Sequence, residues 1–284
     1  MCGRYTSTSA PADLAKVFAV DDMKVDELPL RYNVAPTQDV YAVAERRPTE
    51  DGENPRRQLG AFRWGLIPYW AKDPSAGNKM INARAEGIET KNAYKRALTR
   101  RRCIIPADAF YEWQVREGDA KGKAKKKNKL PYIIRHKDGS PLAFAGLWEF
   151  WRPKDQPDAE PIRSCVIITT AANDLVAPIH NRMPVILPAA AWDRWLDPGV
   201  TDLAAIQGLL VPSASRDLEA YPVSTRVNDV ANEGPELVEP LPPPPGFGAE
   251  PSELQLAPGL DDRPVAEHLQ VGRVGRYPVD HPQL

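Results

Sequence analysis

The feature that most restricts the fold is a series of short apolar runs, each closed by proline, glycine or polar residues before it reaches helical length. Ser164 to Ala171 is the clearest of them, an apolar run between polar neighbours that reads as a central strand. Val40 to Ala44, Leu59 to Ile67 (stopped by Pro68), Cys103 to Trp113, Leu130 to Arg135, Ala143 to Phe150, Met183 to Pro188 and Ala220 to Val223 read as further strands. Between them few segments suit helices. Ser9 is placed to cap a short helix with Pro11 in its first turn and Leu14, Val17 and Phe18 on the apolar face. Ala189 to Leu196 reads as an amphipathic helix that sends Trp192 and Trp195 into the core. Many strands with peripheral helices make an α+β domain the expected class.

Composition narrows the function. The 284 residues are 42% hydrophobic, enough for a sizeable core, and carry a formal net charge of -1, so any nucleic-acid surface has to be local. Three cysteines, at positions 2, 103 and 165, and four histidines have no metal-ligand spacing, which argues against a disulfide framework, a zinc site or another metal cofactor. Neither a signal peptide nor an apolar run of membrane-spanning length is present, so a cytoplasmic, nucleoid-associated protein is expected. Arg46 to Arg57 reads as a surface hairpin loop. Gly118 to Lys129, with six lysines, reads as a mobile loop within the domain. Leu241 to Gly246, with its four consecutive prolines, marks the end of a domain over residues 2–240, and residues 241–284 read as a disordered tail.

The chemistry-bearing residues are scattered. Removal of Met1, which a small second residue allows, leaves Cys2 with an α-amine and a thiol on adjacent carbons. Their ordinary pKa values, about 7.7 to 8.0 and about 8.5, leave nucleophile available at neutral pH. Such a 1,2-aminothiol converts an aldehyde first to an imine and then to a five-membered thiazolidine. Gly3 removes bulk beside it, and Arg4 offers a cation for a phosphate. Asn82 and Arg84 lie on one side of an extended segment, suited to a sugar oxygen and a phosphate respectively. Tyr69 and Trp70, beyond Pro68, are expected on an exposed rim where bases can stack. The basic run Lys91 to Arg102 reads as a helix that is either a solvated face or a phosphate-facing wall. Glu112, between aromatics, is expected to be desolvated into a general acid. His180, beside Arg182 and between two prolines after the central strand, is expected to face a cleft.

Met-Cys-Gly-Arg-Tyr at the start, Arg31 to Pro36, Trp64 to Pro68, Asn82-Ala83-Arg84, Phe110 to Trp113 and Ile179 to Pro184 together resemble the SRAP family, the SOS response-associated peptidase domains, over roughly residues 2 to 240. The resemblance implies a single SRAP-like α+β domain with a mixed, largely antiparallel curved sheet and a DNA groove on one face. It implies a monomeric sensor of abasic sites in single-stranded DNA that uses no cofactor. Carried over by position, Cys2 is the nucleophile that forms the thiazolidine, Asn82 positions the sugar, Glu112 is the acid/base and His180 assists proton transfer. Arg4, Asn33, Arg84 and Arg182, with Tyr69 and Trp70 near the bases, are the implied DNA contacts. The word peptidase refers to autoprocessing that exposes Cys2; turnover of other peptides is not implied.

Two other classes stay open on the residues alone. One is a cysteine peptidase or amidohydrolase of the N-terminal-nucleophile kind, with His180 as base. The other is a non-covalent single-strand binding module that has no need of Cys2.

Overall fold

Aliphatic side chains alternate between two apolar environments along the longest runs, which makes these segments strands buried on both faces. Val166 and Ile168 enter one core cluster, and Cys165 and Ile167 enter the other. Ile104 is likewise divided from Cys103 and Ile105, and Ala145 from Phe144.

The computed structural model describes residues 2–46, 56–116 and 128–242. In chain order its elements are β1 (Tyr5–Ser7), α1 (Pro11–Val17), β2 (Asp22–Met23), β3 (Arg31–Val34), β4 (Asp39–Arg46), β5 (Arg56–Trp64), β6 (Asn82–Arg84), α2 (Lys95–Arg100), β7 (Arg102–Ala107), β8 (Ala109–Arg116), β9 (Asn128–His136), β10 (Leu142–Trp151), β11 (Ile162–Ala171), β12 (Arg182–Pro184), α3 (Trp192–Leu196), α4 (Leu203–Gln207) and β13 (Leu218–Pro222).

The fold is a mixed, mostly antiparallel α+β architecture with few and short helices. Where one curved sheet was expected, the strands form two. The smaller runs β13-β9-β8-β1-β3 and the larger runs β12-β11-β10-β7-β4-β5-β2. The larger closes on itself, because β11 also pairs in parallel with β5 through Ser164↔Arg63 and Cys165↔Trp64. Strands β4, β5, β11, β10 and β7 therefore make a ring. Leu14 and Phe18 at α1, Leu98 of α2, Trp195 of α3 and Ile206 of α4 cover its outer face. Its inner face is shared with Cys2, Tyr5, Phe110, Ile134 and Leu218 from the small sheet and the segment leading into it, which plug one end of the ring.

Several local expectations change. Ser9 does not cap α1: Ala10 occupies that position with no side-chain bond, and Ser9 donates its hydroxyl to Asp108 instead. Asp108 also accepts from the amide and hydroxyl of Thr8, so this carboxylate at the β7–β8 turn anchors the N-terminal segment. Val17 is 42% exposed rather than on the packed face. Strand β5 stops at Trp64, not at Pro68, because Gly65 adopts a φ of 127° that a side chain resists. A Cβ at Gly65 would also lie 2.5 Å from the carbonyl oxygen of Gly77.

The basic run is not one helix wall. Only Lys95–Arg100 is α-helical, and Arg102 is buried on β7, donating to the carbonyls of Trp195, Leu98, Asp197 and Val200. Most of the hairpin loop between Arg46 and Arg57, nearly all of the lysine-rich loop at 118–129, Met1 and all but the first two residues of the tail lie outside the described residues. Among the described residues no helix is long and apolar enough to cross a membrane.

Candidate active site at the N-terminus

Cys2 is fully buried at the plugged end of the ring, immediately before β1. β1 lies antiparallel to β8, with Tyr5 opposite Phe110, and the amide of Tyr111 donates to the carbonyl of Arg4. That register brings the N-terminal residues alongside Glu112. From the ring side, β6 pairs in parallel with β11, with Asn82 opposite Ile167. The Asn82 side-chain amide donates to the Cys2 carbonyl at 2.7 Å. Asn82 Oδ1 is buried and accepts no hydrogen bond within the protein. A carboxamide held in this way presents an acceptor to any hydroxyl that enters beside Cys2.

Glu112 is 2% exposed. Burial raises its carboxyl above the usual glutamate range, and the positive α-amino terminus and then His180 pull it back. The Cys2 thiol is pushed well up, first by burial and second by the Glu112 charge. A thiol held neutral is a weak nucleophile, so nitrogen rather than sulfur leads any attack from this residue.

His180 Nδ1 lies 4.0 Å from Glu112 Oε1. The same Nδ1 lies 3.0 Å from the Arg182 amide and 3.2 Å from the Arg182 carbonyl, so the backbone of Arg182 holds the ring in place. The loop that carries His180 is shaped by Asn173, whose Oδ1 accepts from the Val176 amide and whose Nδ2 donates to the Ser213 carbonyl. Gln114, two residues along β8 from Glu112, donates to the Pro178 carbonyl at 3.1 Å and fastens that loop to the strand. Four residues from distant parts of the chain, Cys2, Asn82, Glu112 and His180, thus converge.

The other predicted residues are placed differently. Asn33 is fully buried, and its amide nitrogen donates to the carbonyls of Val227, Asp229 and Asn232. Arg4 donates to Asn33 Oδ1 at 2.7 Å and to the Val227 carbonyl at 2.8 Å. These two side chains staple the segment after β13 onto the small sheet, which corrects the expectation that Asn33 faces DNA. Arg182 forks onto Glu86 at 2.6 and 2.9 Å and donates to the Thr169 carbonyl. Arg84 is exposed, and Tyr69 and Trp70 are each 50% exposed on the loop after β5. Arg96 lies 4.7 Å from the Tyr69 ring centroid and holds that ring by a cation–π contact. The same loop is pinned by Trp151, whose indole donates to the Ala71 carbonyl.

Three participants escaped the sequence reading: Glu86, Gln114 and Tyr5, whose hydroxyl is buried and accepts or donates no hydrogen bond within the protein. Alternation along β8 puts Gln114 on the Glu112 side, which was a usable signal. No local signal pairs Glu86 with Arg182, 96 residues away.

Known proteins resemble the chain over most of its length. The family model described as SOS response associated peptidase (SRAP) matches residues 1–230. The chain belongs to the SRAP family. SRAP relatives span bacteria and vertebrates. Abasic site processing protein YoqW of Bacillus subtilis is 44% identical over 240 residues, covering 84% of this chain and 99% of the relative. Abasic site processing protein HMCES of Gallus gallus is 31% identical, covering 85% of this chain and 78% of the relative. Abasic site processing protein YedK of Escherichia coli is 30% identical and covered over its whole length by 85% of this chain. Among solved structures, a protein from Bacteroides thetaiotaomicron superposes with a TM-score of 0.68 at 26% identity, over 84% of this chain and all of that one.

Proposed function

We propose that this SRAP protein binds single-stranded DNA at abasic sites and, once Met1 is removed, crosslinks to them through Cys2. The observation that carries the reading is the convergence on Cys2: its carbonyl is held by Asn82, and Glu112, a buried carboxyl with a raised pKa, lies close enough for its charge to act on the Cys2 thiol.

The chemistry runs in balanced steps. Protonated Glu112 donates to the ring oxygen of the closed deoxyribose, which opens to the C1′ aldehyde. The Cys2 amine adds to C1′, and loss of one water leaves the imine. His180, 4.0 Å from Glu112, assists the return of protons between these steps. The thiol then adds across the C=N bond, its proton passing to nitrogen, and the thiazolidine closes. Both nucleophilic atoms belong to one residue, so the second attack is intramolecular. Asn82 Oδ1 is the acceptor for a hydroxyl of the opened sugar. Glu112 also serves the reverse reaction by protonating the leaving group.

Tyr69 and Trp70 stack on bases, and Arg84 takes a flanking phosphate. Arg4 and Arg182 meet phosphate only at the cost of their present partners; Arg4, bonded to uncharged groups, contributes positive potential, whereas Glu86 offsets the charge of Arg182. The domain spans residues 2–240 and acts as a monomer in the cytoplasm, on the nucleoid, without a cofactor. Turnover of other peptides has no part in this reading.

The test is a denaturing gel of Met1-free protein with a single-stranded oligonucleotide containing one abasic site. A slow band that survives boiling, needs the lesion and disappears in Cys2→Ala is expected. Cys2→Ser, which keeps the amine and loses the thiol, should give a labile adduct trapped only by borohydride. Peptide hydrolysis dependent on Cys2, or lesion binding independent of it, would replace this reading with one of the alternatives.

A further inference from the structure

The ring of strands has a second end, and among the described residues it is open. The inward-facing positions of β4, β5, β10 and β11 that lie away from the small sheet line a cavity of about 380 Å³, with Phe62, Trp148 and Phe150 as its aromatic wall and Arg46 and Arg163 at its rim. That volume falls in the range of single small-molecule sites, roughly 300 to 1,000 Å³, which favour the mouths of β-barrels. The cavity is remote from Cys2. Phe144 packs on Tyr5 at the plugged end, and Phe150 lies six residues further along β10, roughly 20 Å at the rise of an antiparallel strand.

Among its polar groups, Lys24 and Gln58 are held by Asp22, but three others lack such partners among the described residues. The indole Nε1 of Trp148 is buried and finds no acceptor within the protein. Arg46 and Arg163 are exposed, and among the described residues neither has a carboxylate partner. Glu45, which also borders the cavity, is already held by Arg57 at 2.7 Å. Gly60 leaves the entrance clear: a Cβ there would lie 3.1 Å from the Phe62 ring and 3.5 Å from Nη1 of Arg163. The same measurement shows that the Arg163 guanidinium reaches over the mouth rather than away from it. The three rings are fixed edge to face, with Trp148 at 5.8 Å from Phe62 and 4.9 Å from Phe150.

We propose that this open mouth is a nucleotide-binding site, taking a planar base against the aromatic wall with its phosphate on Arg46 and Arg163. Aromatic walls accept any base face, and a guanidinium fork matches phosphate. The inward indole N–H supplies the one directed bond a base carbonyl or ring nitrogen would meet. The chemistry is shared by a free mononucleotide and by an unpaired nucleotide of a DNA strand.

Tryptophan fluorescence of the full-length protein titrated with dAMP, adenosine and inorganic phosphate tests it, alongside the affinity for undamaged single-stranded oligonucleotides. The variants are Arg163→Glu, at an exposed strand position, and Trp148→Phe, which keeps a ring and removes the indole N–H. Saturable dAMP binding that is at least tenfold weaker in both variants, and much weaker for adenosine or phosphate alone, supports a free nucleotide. No dAMP binding, but an at least fivefold loss of oligonucleotide affinity in Arg163→Glu, supports a strand nucleotide. Crosslinking to abasic sites at saturating DNA stays unchanged in both variants. Phosphate competing as well as dAMP, or wild-type affinities throughout in folded variants, overturns the proposal.

Discussion

The side-chain amide of Asn82 donates to the carbonyl of Cys2 at 2.7 Å across 80 residues of chain. In the proposed reaction this bond orients the residue whose two nucleophilic atoms must reach one carbon in turn. Small misplacements of reacting groups carry large rate costs, up to about a hundredfold for 1 Å. Asn82→Ala is therefore expected to slow crosslinking by roughly ten- to a hundredfold while costing about 1 kcal/mol of stability, the scale of one hydrogen bond. Single-turnover gel kinetics and urea unfolding measure the two effects separately. A crosslinking rate equal to wild type would remove Asn82 from the site.

The raised pKa of Glu112 has a consequence for stability. A carboxyl whose folded pKa lies above its unfolded value binds its proton more tightly in the folded state. Its favourable contribution is complete below the unfolded pKa and is lost as pH rises through the folded one. Glu112→Gln should accordingly be more stable than wild type at pH 8, by about 1.4 kcal/mol for each unit of the shift, and gain no such advantage at pH 4. Thermal melts of both proteins at the two pH values decide it.

Activity should follow the same group with the opposite reward. In the proposed mechanism ring opening needs protonated Glu112 and amine attack needs a neutral α-amine, so the crosslinking rate should rise and then fall with pH. Glu112→Gln should flatten the alkaline fall and lower the maximum by about a hundredfold, the scale of one general acid. Rates measured from pH 5 to 9 with an abasic oligonucleotide check both features.

Asn33 and Arg4 are tied to each other and to the segment after β13. Asn33→Ala removes one acceptor of Arg4, which keeps the Val227 carbonyl, and the side-chain donor to the carbonyls of Val227, Asp229 and Asn232, and a loss of about 2 to 4 kcal/mol is expected. Below its melting temperature the variant should still bind undamaged single-stranded DNA with near wild-type affinity. A weakened affinity with unchanged stability would return Asn33 to the DNA surface.

Trp70 is half exposed, on a loop pinned by Trp151 and by the contact of Arg96 with Tyr69. Loss of one stacking partner costs about 1 to 3 kcal/mol. Trp70→Ala should weaken single-strand binding by roughly five- to a hundredfold, with the crosslinking rate at saturating DNA preserved. Fluorescence anisotropy and the gel assay separate the two.

The amino-acid sequence by itself determined the α+β class, the positions of the long strands and the residue types of the site. Strand runs such as Ser164 to Ala171 are written in local apolar patterning, and the aminothiol chemistry proposed for Cys2 was an expectation from residue type and position. Glu112 is buried as expected, but its flanking aromatics Tyr111 and Trp113 pack in a cluster on the other face of β8, so its desolvation comes from the segments that folding brings to its own face. The tertiary structure decided what depends on contacts between distant segments. Closure of the large sheet rests on the β5–β11 pairing, which joins strands about a hundred residues apart and leaves no local trace. The same holds for the fate of the polar residues. Asn33, Arg102 and Arg182 looked like free surface groups, yet each is held by carbonyls or carboxylates that folding brings to it. A polar side chain shows its chemistry in the sequence, but only the packed chain determines which partner satisfies it, since a buried donor must be paired wherever its partner lies along the chain.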